Sequence, residues 1–170
     1  SVHHVNLISD AIEARAYQLE AVNESLAGSM MLVLPTAAGK TAVAWMLIAE
    51  KLSENEGNIL LIAPTVALVN QHLDGCNRFL SLGKIKPLSI TGQNIVNKRT
   101  NMWTSSKLIV ATPQVVRNDI INGISISPKK EFNIIKVWFK TNDFDYQNHF
   151  QEEEGSLISL KNSIYKKHEI

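Results

Sequence analysis

Short apolar runs alternate along the chain with longer segments in which apolar residues recur at helical spacing. The runs MMLVL (30–34), NILLIA (58–63), KPLSIT (86–91) and KLIVA (107–111) are bounded by turn residues and are rich in leucine or β-branched residues. Runs of this length and composition are typical of strands that are buried on both faces. The pattern therefore predicts four buried strands.

The segments between these runs predict helices over 13–28, 41–57, 65–83 and 112–123, each ending at a glycine. Strand–helix–strand repetition at this spacing favours an α/β fold, a parallel sheet with helices on both faces and right-handed crossovers. EFNIIKVWF (131–139) could add a fifth strand. SLISLKNSIYKKH (156–168) has one apolar face and predicts a short amphipathic helix.

Composition indicates one compact domain and gives no global sign of a partner. The 170 residues carry a net charge of only +1, so a nucleic-acid surface would have to be local. The single cysteine, Cys76, excludes an internal disulfide framework and fits a reducing cytoplasm. No run is long and apolar enough to span a membrane, and the first ten residues lack the charged region and apolar core expected of a signal peptide.

A change in composition near Pro128 suggests a boundary. Residues 1–128 contain thirteen alanines and residues 129–170 contain none. We therefore expect a main domain over 1–128 and a divergent segment over 129–170, which would hold the possible fifth strand and the amphipathic helix.

LPTAAGKT (34–41) matches the Walker A pattern in its last three positions, with Leu34 in place of the first glycine. It follows a predicted strand and opens a predicted helix, as that pattern requires. Backbone N–H groups from Thr36, Ala37 and Ala38 onward would face phosphates, and Gly39 would allow close approach. Lys40 would add charge at the β- and γ-phosphates of ATP, and the Thr41 hydroxyl would ligate Mg²⁺.

PTAAGKT resembles motif I of superfamily 2 helicases, in which Ala37 replaces a more usual glycine. Four further segments resemble motifs of that superfamily in the right order: EARAYQ (13–18) the Q motif, APTVALVNQH (63–72) motif Ia, TG (91–92) motif Ib and IVATPQVV (109–116) motif Ic. The wording is most similar to the Hef/FANCM branch, whose members are DNA-repair translocases that act on branched DNA.

This resemblance implies a RecA-like P-loop domain with two kinds of site. Arg15 and Gln18 would lie at the nucleotide, with Gln18 on the adenine edge. The backbone of branched or single-stranded DNA would contact Pro64, Thr65, Thr91, Gly92, Thr112, Pro113 and Gln114. A second RecA-like domain, normally in the same polypeptide, would complete the ATP site. His72 and Cys76 are more typical of ordinary surface or core residues than of contacts.

The resemblance also implies a D-E-x-H motif at the end of the fifth strand, and no adjacent Asp-Glu pair occurs in the 170 residues. Asp143 and Asp145 follow that strand, but a solvated loop is the simpler interpretation. We therefore expect nucleotide binding with very slow hydrolysis. A catalytically silent nucleotide- or nucleic-acid-binding module and an RNA-acting helicase stay open as alternatives.

Other nucleotide-binding classes fit less well. NKRT (97–100) lacks the aspartate of a GTPase base-reading element, and only four arginines are available for a kinase lid. No G-x-G-x-x-G pattern for a dinucleotide is present.

Overall fold

The computed structural model describes residues 1–28, 30–35, 37–54, 57–124, 132–137 and 166–169. Helices and strands alternate through most of this range, as the apolar pattern predicts. In chain order they are α1 (Ala16–Ala27), β1 (Met30–Val33), α2 (Lys40–Glu54), β2 (Asn58–Ile62), α3 (Val66–Phe79), β3 (Leu88–Ile90), α4 (Val96–Ser105), β4 (Leu108–Ala111), α5 (Pro113–Ile121), β5 (Phe132–Lys136) and β6 (Lys166–Glu169).

Four strands form one parallel sheet in the order β3-β4-β2-β5. Ile62 of β2 and Ile90 of β3 both pair with Ala111 of β4. The carboxyl ends of these three strands are therefore aligned. We call this C-terminal end of the sheet, formed by the ends of β2, β3 and β4, the level edge.

Helices cover both faces of this sheet, which confirms the predicted α/β architecture. Ile59 and Leu61 of β2 belong to a core shared with α1, α2 and α3. Leu60 and Ile62 point the other way, into a second core shared with α4 and α5. All five residues of β2 are buried because successive side chains of a strand enter opposite cores.

β1 forms hydrogen bonds with β6 and lies outside the four-stranded sheet in the part of the chain that the structure describes. Residues 166–168, which we predicted to end an amphipathic helix, belong to this parallel strand instead. The backbone groups of β1 require partners, and β6 supplies them. The rest of the predicted helix, 156–165, lies outside the described residues.

Two other helix predictions also need correction. α3 ends at Phe79, before the expected Gly83, since the Leu80 N–H closes the helix on the carbonyl of Cys76. α4 was not predicted at all. By contrast, the expected glycine does terminate α5, two residues after its last residue, Ile121: Gly123 has φ +65°, and the Ile124 N–H donates to the Asp119 carbonyl.

Candidate functional site

The candidate phosphate loop, residues 34–41, connects β1 to α2, which begins at Lys40. Its backbone takes left-handed conformations at Ala37 (φ +64°) and Gly39 (φ +82°). Left-handed residues next to a helix start turn successive N–H groups toward one concavity, the usual geometry of an anion site. Thr36 lies outside the described residues, so its predicted role stays a prediction.

The Lys40 side chain folds back across this loop. Its Nζ donates to the carbonyl oxygen of Leu34 at 2.9 Å and to that of Pro35 at 3.5 Å. A phosphate oxygen would be a stronger, charge-assisted acceptor for the same ammonium group. Thr41 follows in the first turn of α2, at the positive end of the helix dipole.

The start of α1 contacts the loop from the other side. Tyr17 Oη donates to the Ala38 carbonyl at 2.8 Å, and Gln18 Nε2 donates to the same oxygen at 3.1 Å. Gln18 Nε2 also lies 3.4 Å from the Gly39 carbonyl, and its Oε1 accepts from the Arg15 N–H at 2.8 Å. Gln18 is only 4% exposed. These contacts tie α1 to the loop backbone.

The sequence pattern located Gln18 but missed this role, and it gave Tyr17 none. The expected contact of Gln18 with adenine stays a prediction. Both amide hydrogens face loop carbonyls here, so reading a base would require at least one of these bonds to be exchanged. Arg15 is exposed, and its Nη1 lies 3.4 Å from Tyr17 Oη.

The residues predicted to meet nucleic acid come together at the level edge of the sheet. They follow the ends of three paired strands, and carboxyl ends of parallel strands are where α/β sheets bind ligands. Pro64 and Thr65 follow β2, Thr91 and Gly92 follow β3, and Thr112, Pro113 and Gln114 follow β4.

These residues differ in exposure and local role. Thr65 is exposed and caps α3 by accepting from the Leu68 N–H at 3.2 Å. Gly92 and Gln114 are also exposed, whereas Thr91 and Thr112 are buried. Thr112 occupies the cap position of α5, but its side chain makes no capping hydrogen bond.

The carboxylates that would hold a metal ion at this site do not occur together among the described residues. Within them no cluster of three or more His, Cys, Asp or Glu side chains could hold a metal ion. β5 confirms the strand predicted over 131–139 for residues 132–136. The carboxylates after it, Asp143, Asp145 and Glu152–Glu154, lie outside the described residues.

His72 and Cys76 belong to the core, not to the site. The His72 ring meets Trp45 edge-on with 5.9 Å between centroids, and burial lowers its pKa. Burial raises the pKa of the Cys76 thiol to about 12, which leaves it protonated and unreactive at neutral pH. Among the described helices, none has the length and apolar character to cross a bilayer.

Comparison with known proteins agrees with this geometry. The DEAD/DEAH box helicase family matches residues 15–137. MJ1505 of Methanocaldococcus jannaschii, provisionally named an ATP-dependent RNA helicase, is 35% identical over 122 residues, 72% of this chain and 16% of that protein. The ATP-dependent DNA helicase fml1 of Schizosaccharomyces pombe is 30% identical over 156 residues, 91% of this chain and 18% of its own length.

The solved helicase domain of Pyrococcus furiosus Hef superposes with a TM-score of 0.72 at 26% identity, over 95% of this chain and 40% of that domain. The chain thus spans less than a fifth of the two relatives named above. The family match covers the loop, α1, and all three strand ends. The chain therefore belongs to the DEAD/DEAH box helicase family, among relatives of the Hef/FANCM type.

Proposed function

We propose that this chain is the ATP-binding domain of an ATP-dependent DNA helicase or translocase that acts on branched DNA in repair. An intracellular location goes with that proposal. The assignment as an ATP-binding domain rests chiefly on the candidate phosphate loop, which has left-handed Ala37 and Gly39 and leads into α2 at Lys40. The DNA-repair character is supported by relatives named as DNA helicases and Fanconi anemia group M proteins.

In this proposal, nucleotide binding depends on the loop and on α1. Lys40 exchanges its bonds to the loop carbonyls for the β- and γ-phosphates of ATP, and Thr41 ligates Mg²⁺. When bound, Mg²⁺ would neutralise developing phosphate charge. Arg15 and Gln18 lie on the nucleotide side, where the bonds between Gln18 and the loop carbonyls couple α1 to phosphate occupancy.

Nucleic acid is proposed to contact the level edge of the sheet, through the segments that follow β2, β3 and β4. The N-termini of α3 and α5, where Thr65 and Gln114 are exposed, offer backbone N–H groups to phosphates, as helix N-termini commonly do. Binding of this type is independent of base sequence and weakens as salt rises. We expect it to be weak for this chain alone because the net charge is only +1.

Hydrolysis is proposed to be very slow in this chain alone. The 170 residues contain no Asp-Glu pair to hold the metal and orient water. In addition, the ATP site of this superfamily is completed by a second RecA-like domain. The proposal assigns residues 1–128 to the first RecA-like domain and 129–170 to a divergent segment whose strand β5 joins the sheet.

The test is titration of a fluorescent ATP analogue with and without Mg²⁺, followed by phosphate release with branched DNA. We expect Mg²⁺-dependent binding that is lost in Lys40→Ala and kept in Lys51→Ala, whose ammonium pairs only with Glu54 among the described residues. Turnover close to that of intact helicases would contradict the proposed slow hydrolysis. No analogue binding would reject an ATP-binding domain altogether.

The main alternative is a silent nucleotide- or nucleic-acid-binding module, favoured by the missing Asp-Glu pair. Binding without any turnover, even with the second domain restored, would support it. An RNA-acting helicase is the other alternative, since MJ1505 carries an RNA helicase name. Competition between DNA and RNA of the same branched shape would distinguish an RNA-acting helicase from the proposed DNA-acting one.

A further inference from the structure

A buried ion pair joins α4 to α5 behind the edge of the sheet. The carboxylate of Asp119 is fully buried and accepts from Arg99 Nε at 3.0 and 2.9 Å and from Arg99 Nη2 at 2.7 Å. Its Oδ2 also accepts from Trp103 Nε1 at 2.9 Å. Both carboxylate oxygens are therefore saturated by charged or aromatic donors.

The third nitrogen of the guanidinium reaches the loop between β3 and α4. Arg99 Nη1 donates to the carbonyl oxygen of Asn94 at 2.9 Å. Arg99 is only 6% exposed, and all three of its nitrogens have partners inside the protein. The side chain is thus unsuited to bind a phosphate itself, although it lies next to the predicted nucleic-acid residues.

Asn94 in turn shapes the start of that loop, residues 91–95. Its N–H donates to the Thr91 carbonyl at 3.0 Å, and its side-chain Oδ1 accepts from the Thr91 N–H at 2.8 Å. The Gln93 N–H is directed to Thr91 Oγ1 at 3.3 Å. Exposed Gly92 lies within the turn that these bonds close. A chain of hydrogen bonds therefore runs from Asp119 to Thr91.

This loop needs such an anchor more than its two neighbours at the same edge. Thr112 is the single residue between β4 and α5, and Thr65 directly caps α3. Five residues separate β3 from α4, so no helix start fixes Thr91 and Gly92. Buried ion pairs contribute little net stability because desolvation offsets their attraction, whereas they fix geometry where their hydrogen bonds are complete.

We propose that the buried Arg99–Asp119 pair positions the β3–α4 loop so that its exposed part at Gly92 meets the nucleic-acid backbone. This inference rests on the proposed function. Arg99 acts through Asn94 and does not touch the ligand, so it is a positioning residue. A loop that is already ordered binds more tightly, because the cost of ordering it does not fall on the binding step.

The test compares two variants that release the loop from opposite ends. Arg99→Lys keeps a positive charge for Asp119 but loses the planar fork that also holds Asn94. Asn94→Ala removes the acceptor for the Thr91 N–H and leaves the ion pair intact. Asn101→Ala, an exposed asparagine on α4, is the matched control.

Each variant of the 170-residue chain is titrated with a labelled single-stranded oligonucleotide at low salt and with a fluorescent ATP analogue plus Mg²⁺. We expect both test variants to raise the Kd for the oligonucleotide about tenfold, while the Kd for the analogue stays within about twofold. The control should match the parent chain on both ligands.

Unchanged oligonucleotide binding in folded Arg99→Lys would overturn the inference, as would a parallel loss of both ligands. If the parent chain binds the analogue but no oligonucleotide, the DNA half of the proposed function falls and the inference falls with it. If Arg99→Lys melts too early for titration, Arg99→Met combined with Asp119→Asn replaces it, because that pair leaves no charge buried alone. Unchanged oligonucleotide binding in this double variant, or a parallel loss of both ligands, would then overturn the inference.

Discussion

Ala37 is held in a conformation that disfavours any residue with a side chain, and this makes its replacement a sharp test of the loop geometry. Its φ of +64° lies in the left-handed region, where an L-residue costs roughly 1–2 kcal/mol. Glycine removes that strain but adds about 0.4–1 kcal/mol of backbone entropy to the unfolded chain. Because Ala37 is exposed, loss of its methyl group costs little packing.

The difference predicts that Ala37→Gly stabilises the domain by about 0.5–1 kcal/mol. For a chain of this size, that corresponds to a Tm higher by about 1–4 °C. Ala38→Gly is the matched control, since Ala38 is the next residue in the loop and its φ is not positive. There the entropy of glycine is uncompensated, so we expect a loss of about 0.4–1 kcal/mol.

Urea unfolding followed by circular dichroism, without nucleotide, measures both variants against the parent chain. The two substitutions remove the same methyl group one residue apart, from exposed Ala37 and half-buried Ala38, so the sites differ chiefly in backbone conformation. Opposite signs would support the left-handed loop. If Ala37→Gly proved no more stable than Ala38→Gly, the loop would not hold Ala37 in that conformation and the reasoning would fail.

Three further predictions concern the loop and the core. Gly39→Ala should weaken binding of a fluorescent ATP analogue about tenfold, since the new Cβ would meet the Gln18 amide at a left-handed position; equal affinity would contradict this. Gly75→Ala should destabilise the chain by roughly 1 kcal/mol in urea unfolding, because the new Cβ would come within 3.0 Å of Cη2 of buried Trp45. This clash outweighs the better helix propensity of alanine, so a more stable variant would show that Trp45 does not pack closely on Gly75. Burial lowers the pKa of His72, so the unfolded chain takes up a proton that the folded chain resists, and stability should fall as pH drops below 6.5. Unfolding at pH 7.5 and pH 5.5 should show a smaller acid loss in His72→Gln, and an equal loss would exclude that histidine as a cause.

The positions of the strands followed from the sequence because burial on both faces leaves a local record. Every strand of the four-stranded sheet lies inside an apolar run that predicted it, and β2 is the clearest case, since two cores require all of its side chains to be apolar or buried. The motif order likewise located the loop and the three strand ends. The pairing of β1 with β6 left no such record, because it joins segments more than 130 residues apart.

The contacts of Gln18 show the same limit within the site. A motif comparison marks the residue, but its bonds to the carbonyls of Ala38 and Gly39 depend on how α1 docks on a loop twenty residues away. Tyr17 donates to the same carbonyl, although the sequence predicted no role for it, since one tyrosine on a mixed helix face is ordinary. Local pattern therefore marks the residues of a predicted nucleotide site more readily than it reveals the contacts that those residues make within the protein.

α4 escaped prediction because one of its two buried side chains is an arginine, a residue that sequence analysis assigns to the surface. Arg99 and Trp103 are spaced one turn apart and are the two buried side chains of that helix. An arginine is rarely buried unless it is paired, and its partner Asp119 lies twenty residues further on, in another helix. Apolar periodicity cannot reveal such a helix, because the hydrogen bonds that make burial acceptable form only after α4 and α5 have packed on the same face of the sheet. The residues least visible in the pattern are thus the ones that fix the loop carrying Thr91 and Gly92, so the shape of this edge is set by polar contacts inside the fold as much as by the apolar runs that built the sheet.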